Sequence, residues 1–175
     1  MGVDQGRYRA AMSRLVTGVT VVTTRVDGRH ELMTANAVMS VSLNPTLLLI
    51  SVAESARWLG AVTRCGRFAV NVLGQEQEDL ARWCADHARH DQPGHVLGHR
   101  AHPSPTGLLL IDDALATVEC RVREQFPAGD HRLIVGLVEV VDMTESPAEP
   151  LVFFDRAFTT TTRAAAPALQ HSAVS

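Results

Sequence analysis

The chain has 175 residues, enough for one domain that buries roughly two thirds of its unfolded surface and needs no disulfide or metal staple. Its 16 Lys and Arg against 19 Asp and Glu give a net charge of -3, and neither sign is gathered into a block, which argues against a nucleic-acid footprint or a polybasic membrane patch. Cys65, Cys84 and Cys120 form no CxxC pair, no charged-then-apolar segment opens the sequence, and the longest apolar run, around Leu47 to Val52, falls far short of the about 20 residues a bilayer demands, so the expected setting is a reducing cytoplasm.

Tyr8, Ala11, Met12 and Leu15 fall at i, i+3, i+4 and i+7, the stripe of an amphipathic first helix that Gly18 ends and that is expected to lie over a barrel of strands. Val19 to Thr24 is a β-branched run that reads as strand, and Asp27-Gly28 supplies a hairpin turn into the next one. From Leu32 to Ala53 the odd positions Met33, Ala35, Ala37, Met39, Val41 and Leu43 are apolar. Thr34, Asn36, Ser40 and Ser42 lie opposite. This two-residue period predicts one buried face, and Asn44-Pro45 breaks the ladder into two strands joined by a tight turn. One alternative is an ordinary strand pair whose small polar residues face water.

Ser55 is expected to N-cap a helix with Trp58, Leu59 and Val62 inward and Gly66 as its stop, and Arg57 in its first turn would make the helix N-terminus an anion site. Phe68 to Leu73 reads as a strand, and Glu76 to Ala88 as a helix burying Leu80, Ala81 and Cys84. Residues 87–107 hold three prolines, three glycines and the histidines His87, His90, His95, His99 and His102. Without HExxH or a nearby cysteine this loop-like stretch is read as carrying no metal.

Ala116 to Gln125 and His131 to Met143 are two long strands about a Pro-Ala-Gly turn, and Leu151 to Phe154 is another. The folded domain is expected over 1–158, with a flexible tail over 159–175. Strands joined by short turns, with helices only at intervals, predict a mainly β barrel with peripheral helices. Neither GxGxxG nor a P-loop occurs, so a dinucleotide would not bind through a Rossmann turn.

Five ordered motifs, Thr17 to Thr23, Met33 to Ala37, Val41 to Pro45, Gly66 to Leu73 and Gly129-Asp130-His131, resemble those of the flavin reductase-like family. Its members are small FMN-binding split β-barrel NAD(P)H:flavin reductases that feed two-component monooxygenases. The resemblance spans about Tyr8 to Phe158. It implies that Thr34, Ala35 and Asn36 line the ribityl and ring side of FMN (or FAD), with Ala37 also in the cofactor site, that Ser51, Val52 and Ala53 offer backbone groups to the ring edge, and that Ser55 and Arg57 meet the phosphate. His131 would contact the nicotinamide of NADH (or NADPH), and Arg156 would reach the cofactor region.

Ala37 stands where the family often has serine, and Ala56 and Trp58 replace smaller or polar residues, which bears on phosphate binding. Phe153 to Phe158 is similar to the variant in reductases of aromatic polyketide antibiotic pathways. The implied partners are a second copy of the chain and a flavin-dependent monooxygenase. For His131 the plain alternative is a strand-edge histidine facing solvent, and for Arg156 a solvated arginine. For the whole chain it is a flavin-binding split barrel without reductase turnover, acting as carrier, oxygenase component or dimeric interaction partner.

Overall fold

In the computed structural model, which describes residues 2–86, 96–145 and 148–161, twelve strands, three α-helices and one short 3-10 helix are formed among the described residues. The strands are Thr17–Gly18 (β1), Thr20–Val26 (β2), Arg29–Ala35 (β3), Val38–Leu43 (β4), Thr46–Ala53 (β5), Arg67–Val72 (β6), Ala101–Pro103 (β7), Leu109–Ile111 (β8), Ala116–Ala128 (β9), His131–Met143 (β10), Leu151–Phe154 (β11) and Ala157–Thr160 (β12). The helices are Gln5–Met12 (α1), Arg57–Cys65 (α2) and Glu78–Ala85 (α3).

Seven strands form one antiparallel sheet in the order β3-β2-β6-β9-β10-β5-β4. Its two edge strands, β3 and β4, are neighbours in the chain, with only Asn36 and Ala37 between them. The sheet must therefore curl until its edges meet at that end, yet no ladder joins them. This is a split barrel. Register shifts at Val135/Gly136 and Val138/Val140 of β10 add the bend that such curvature needs.

The β-branched residues of β2 lie at the centre of the barrel, and their hydroxyls are satisfied by carbonyls: Thr20 Oγ1 donates to Ala35 O at 2.7 Å, Thr23 Oγ1 to Leu109 O at 2.7 Å and Thr24 Oγ1 to Arg67 O at 2.7 Å. Fully buried Asn71 donates from Nδ2 to Val21 O at 2.9 Å and accepts Ile111 N–H at 2.8 Å, tying β8 to the barrel. One core cluster packs Leu80, Ala81 and Cys84 of α3 on Val19, Val21 and Leu151. The other packs Trp58, Leu59 and Val62 of α2 on Val22, Ile50, Phe68 and Ile134. Trp58 and Phe68 meet edge to face at 6.0 Å and 72°. Burial, then the charges of Glu139 and Glu119, push the Cys120 thiol up to about 12, so it remains a protonated core side chain.

Several expectations hold: the Asp27-Gly28 turn with both residues at positive φ, the inward faces of α2 and α3, the left-handed Gly66 stop, and the β9–β10 hairpin. Others are corrected. Helix α1 is capped by Asp4, whose Oδ1 accepts Arg7 N–H at 2.7 Å, and it ends at Met12, leaving Gly18 in β1. Tyr8, Met12 and Leu15 do form an apolar group, but this single chain leaves them exposed.

The segment from Leu32 to Ala53 is three strands, because the chain must cross from one sheet edge to the other at Asn36-Ala37. The expected buried face therefore inverts in meaning beyond the crossing. Leu32 and Ala35 are buried, whereas Met39, Val41 and Leu43 on β4 are 57%, 48% and 86% exposed. Ser55 is not the helix cap: the turn closed by Ala56 N–H to Ala53 O at 3.0 Å holds it one residue upstream, and Ala56 takes the N-cap position with no side-chain bond.

The loop-like stretch 87–107 carries a strand, β7. Val96 is buried and β7 pairs with β8. His99 Nε2 lies 2.8 Å from Asp79 and His102 Nδ1 2.7 Å from Asp112, so each meets a carboxylate. His87, His90 and His95, and the expected end of α3 at Ala88, lie outside the described residues. At the other end, β12 carries Thr159 and Thr160 past the expected boundary at 158.

Candidate functional site

The barrel's split opens a groove of about 530 Å³ between the end of β3, the end of β5, the start of α2 and the end of α3. Of the ten residues expected to hold a cofactor, nine line it: Thr34, Ala35, Asn36, Ala37, Ser51, Val52, Ala53, Ser55 and Arg57. The tenth, Arg156, lines an adjoining cavity of about 900 Å³ that shares Asn36, Ala37, Ser51 and Phe153 with the groove. The sequence separates these residues by more than a hundred positions, and the split brings them together.

Two features of the groove wall bear on what it can hold. The β4–β5 ladder ends at Val38 and Ile50, with one further bond from Ser51 N–H to Ala37 O at 3.0 Å. Beyond it the β4-side edge of β5 has no strand paired to it among the described residues, and an unpaired edge presents backbone donors and acceptors to a ligand. The N-terminus of α2, whose N-cap residue Ala56 makes no side-chain capping bond, opens into the same groove beside Ser55 and Arg57.

Not every expected residue offers its side chain. Thr34 Oγ1 donates to Ala81 O at 2.6 Å and so pins α3 to β3. Ala35 O accepts Thr20, and Ala37 is exposed at the crossing. Trp58, the departure that bore on phosphate binding, turns into the core with 2% exposure and forms part of the groove's floor.

His131 opens β10 directly across from Ala53, but the groove lining does not include it. It is 45% exposed, and its Nδ1 lies 2.7 Å from Asp130 Oδ1. The hydrogen bond to His131 first, and then its charge, hold the Asp130 carboxyl below the usual range, with Arg9 of α1 contributing at longer reach.

Sequence reasoning missed Phe153 and Phe158, which face each other across β11 and β12 at 5.4 Å and 67° and line the groove. Their signal was the hairpin spacing, hidden because the intervening turn is Asp155-Arg156, with φ of 47° and 64° where glycine or asparagine is the ordinary choice. Asp155 N–H donates to Ser13 O at 2.8 Å and Ser13 Oγ to Asp155 Oδ1 at 3.3 Å, so this turn is moored to the end of α1.

The flavin reductase like domain matches residues 12–162. The chain belongs to the flavin reductase-like family. Among relatives of this flavin reductase-like chain, NADH-dependent FMN reductase AsuE2 of Streptomyces nodosus subsp. asukaensis is 39% identical over 167 residues, covering 91% of this chain and 87% of that protein. The reductase component of 4-hydroxyphenylacetate 3-monooxygenase from Thermus thermophilus is 35% identical over 155 residues, covering 86% and 93%. Among solved structures, flavin reductase PheA2 in its native state superposes with a TM-score of 0.82 at 38% identity, covering 92% of this chain and 100% of that one.

Proposed function

We propose that the chain is an NADH-dependent flavin reductase that passes reduced flavin to a separate monooxygenase, with FMN preferred to FAD. The observation that carries this reading is the pairing, in one groove, of an open strand edge with an uncapped helix N-terminus. That is the donor set a flavin requires: backbone groups for the ring's N–H and C=O atoms, and N–H groups with a cation for its phosphate. When bound, flavin accepts hydride from a reduced nicotinamide, so the chain needs no nucleophile. The edge of β5 at Ser51 to Ala53 orients the ring, Ser55, Arg57 and the α2 terminus hold the phosphate, and Phe153 and Phe158 exclude water from one side. His131 orients the nicotinamide from the strand position beside Ala53, and Asp130 fixes its ring. Anaerobic mixing of NADH with the protein and FMN is expected to bleach the oxidised flavin within turnover time. Stable yellow colour would overturn the reading in favour of a flavin carrier.

Asn36 lines both cavities, and Asn36→Asp is expected to weaken FMN binding about tenfold while the melting curve stays in place, because it sets a half-buried negative charge against an electron-rich ring and phosphate. Flavin fluorescence titration reads this, and unchanged affinity would remove Asn36 from the site.

A homodimer completes the proposal. The exposed apolar side chains of β4, Met39, Val41 and Leu43, with Tyr8, Met12 and Leu15 beside the second cavity, make a surface that a second copy covers. Sedimentation at micromolar concentration is expected to give the dimer mass, and a monomer would refute it. The three free cysteines fit a reducing cytoplasm, and among the described residues no helix is long and apolar enough to cross a membrane.

A further inference from the structure

We propose that Arg132 of β10 and Glu54 form a positioning pair that holds the corner between β5 and α2, so that Ser55, Arg57 and the α2 terminus meet the flavin phosphate. This rests on the reductase reading above and adds to it the device that sets the phosphate site in place.

The corner itself is short and weakly held. Glu54, Ser55 and Ala56 alone separate the end of β5 at Ala53 from the start of α2 at Arg57. A helix entered from so tight a corner is ordinarily aimed by its N-cap side chain. Here Ala56 takes that position without a side-chain bond, and the Ser55 hydroxyl makes no hydrogen bond among the described residues. The turn is closed by the single bond from Ala56 N–H to Ala53 O at 3.0 Å.

The β9–β10 hairpin supplies the rest. The β10–β5 ladder ends at His131 and Ala53, and Glu54 is the next residue beyond it. Its N–H donates to Asp130 O at 2.9 Å, which carries the pairing one residue past the strand. Its carboxylate is taken by Arg132: Nε donates to Oε1 at 3.0 Å, and Nη2 lies 2.9 Å from Oε1 and 3.2 Å from Oε2. One hairpin thus grips Glu54 by backbone and side chain. The planar guanidinium engages both carboxylate oxygens, which fixes direction as well as distance.

The Arg132 and Glu54 side chains are 34% and 39% exposed, so solvent screens the pair and its share of global stability is small. Its effect is local. Arg132 stands on a rigid ladder opposite Val52, so the corner is the part that yields when the bond is lost. Ser55 follows Glu54 directly, and a displacement there moves the phosphate contacts while the ladder holds Ser51 to Ala53, the ring edge, in place.

The test titrates FMN and riboflavin, which share ring and ribityl chain and differ in the phosphate, into wild type, Glu54→Gln, Arg132→Gln and the double variant. Flavin fluorescence gives each affinity without turnover, and melting curves control for folding. The preference for FMN over riboflavin is expected to fall about three- to tenfold in either single variant and no further in the double, because two residues acting as one unit are not additive. Riboflavin affinity should stay in place, and Arg132→Lys should recover only part of the preference. The sign in Glu54→Gln is decisive. If the pair acted through its charges alone, removing a carboxylate near the phosphate would raise the FMN preference, whereas removing the arginine would lower it. Opposite shifts in the two variants therefore overturn the proposal. So does an unchanged preference, the behaviour of an ordinary surface ion pair, and so does an equal loss of FMN and riboflavin, which would mark a general distortion of the groove. A wild type that binds both flavins alike would remove the phosphate site and the proposal with it. Absence of NADH-driven reduction, with these titrations intact, would strike the reductase reading alone.

Discussion

Gly136→Ala is expected to lower the melting temperature by about 3 to 10 °C, the shift that roughly 1 to 3 kcal/mol of overpacking produces in a domain of this size. A Cβ built at Gly136 lies 2.6 Å from Phe68 Cζ, 2.8 Å from Cys120 Cβ and 2.9 Å from Phe68 Cε1. Neither neighbour can retreat: Phe68 is fully buried against Trp58, and Cys120 lies in the paired register of β9. Gly136 also sits at a register shift of β10, so displacing it disturbs the curvature that brings β5 and its open edge to the groove. Flavin affinity should fall along with the melting point. Gly60, inside α2 with nothing within 4 Å of its Cβ position, is the matched control. Gly60→Ala is expected to stabilise by a few tenths to about 1 kcal/mol through helix propensity alone. Equal melting curves for the two variants would show that position 136 has slack the geometry denies.

His131→Ala is expected to slow hydride transfer about 10- to 100-fold while FMN binding changes little, since one positioning hydrogen bond contributes roughly 1 to 3 kcal/mol. The strand register explains the separation of effects. His131 lies across from Ala53, at the far end of the β5 edge, and outside the side chains that line the groove. Asp130→Asn should move the rate in the same direction by a smaller factor. The pH dependence has a definite sign. The Asp130 carboxyl titrates below its ordinary range, so the stability that the carboxylate contributes is fully present above the unfolded carboxylate value and is lost only as pH falls through the lower folded one. Assays near neutrality therefore see Asp130 charged. Stopped-flow reduction at saturating FMN, alongside a melting curve, separates the outcomes. A full rate with a shifted melting point would leave His131 a strand-edge residue and nothing more.

The nine groove residues were legible because they lie in two runs, 34–37 and 51–57, whose small side chains and motif likeness mark them without any knowledge of the packing. The residues missed lie on the other side of the split. Phe153 and Phe158 reach the groove through the small sheet β1-β11-β12, and no local pattern states that this sheet folds over the barrel mouth. Hydrophobic period found the apolar faces of α1 and β4 but could not say what covers them, because period reports the need for burial and not its provider. Ser55 illustrates a finer limit. A serine before a helical stripe satisfies the capping rule, but the tight turn closed on Ala53 fixes where the helix begins, and that choice is made by the strand before it.

The two-residue crossing at Asn36-Ala37 also acts as a tether that gauges the slot it spans. From Ala35 to Val38 the chain takes three steps, at most about 10 to 11 Å when fully stretched. Paired strands lie about 4.8 Å apart, so at that end the edges of β3 and β4 stand no more than about two strand spacings from each other. The gap therefore admits one missing rung and no more: a single flat layer fits between the edges, whereas a helix, about 10 to 12 Å across, does not. Lengthening the crossing by a residue would widen the slot beyond the thickness of one ring, and shortening it would zip the edges shut.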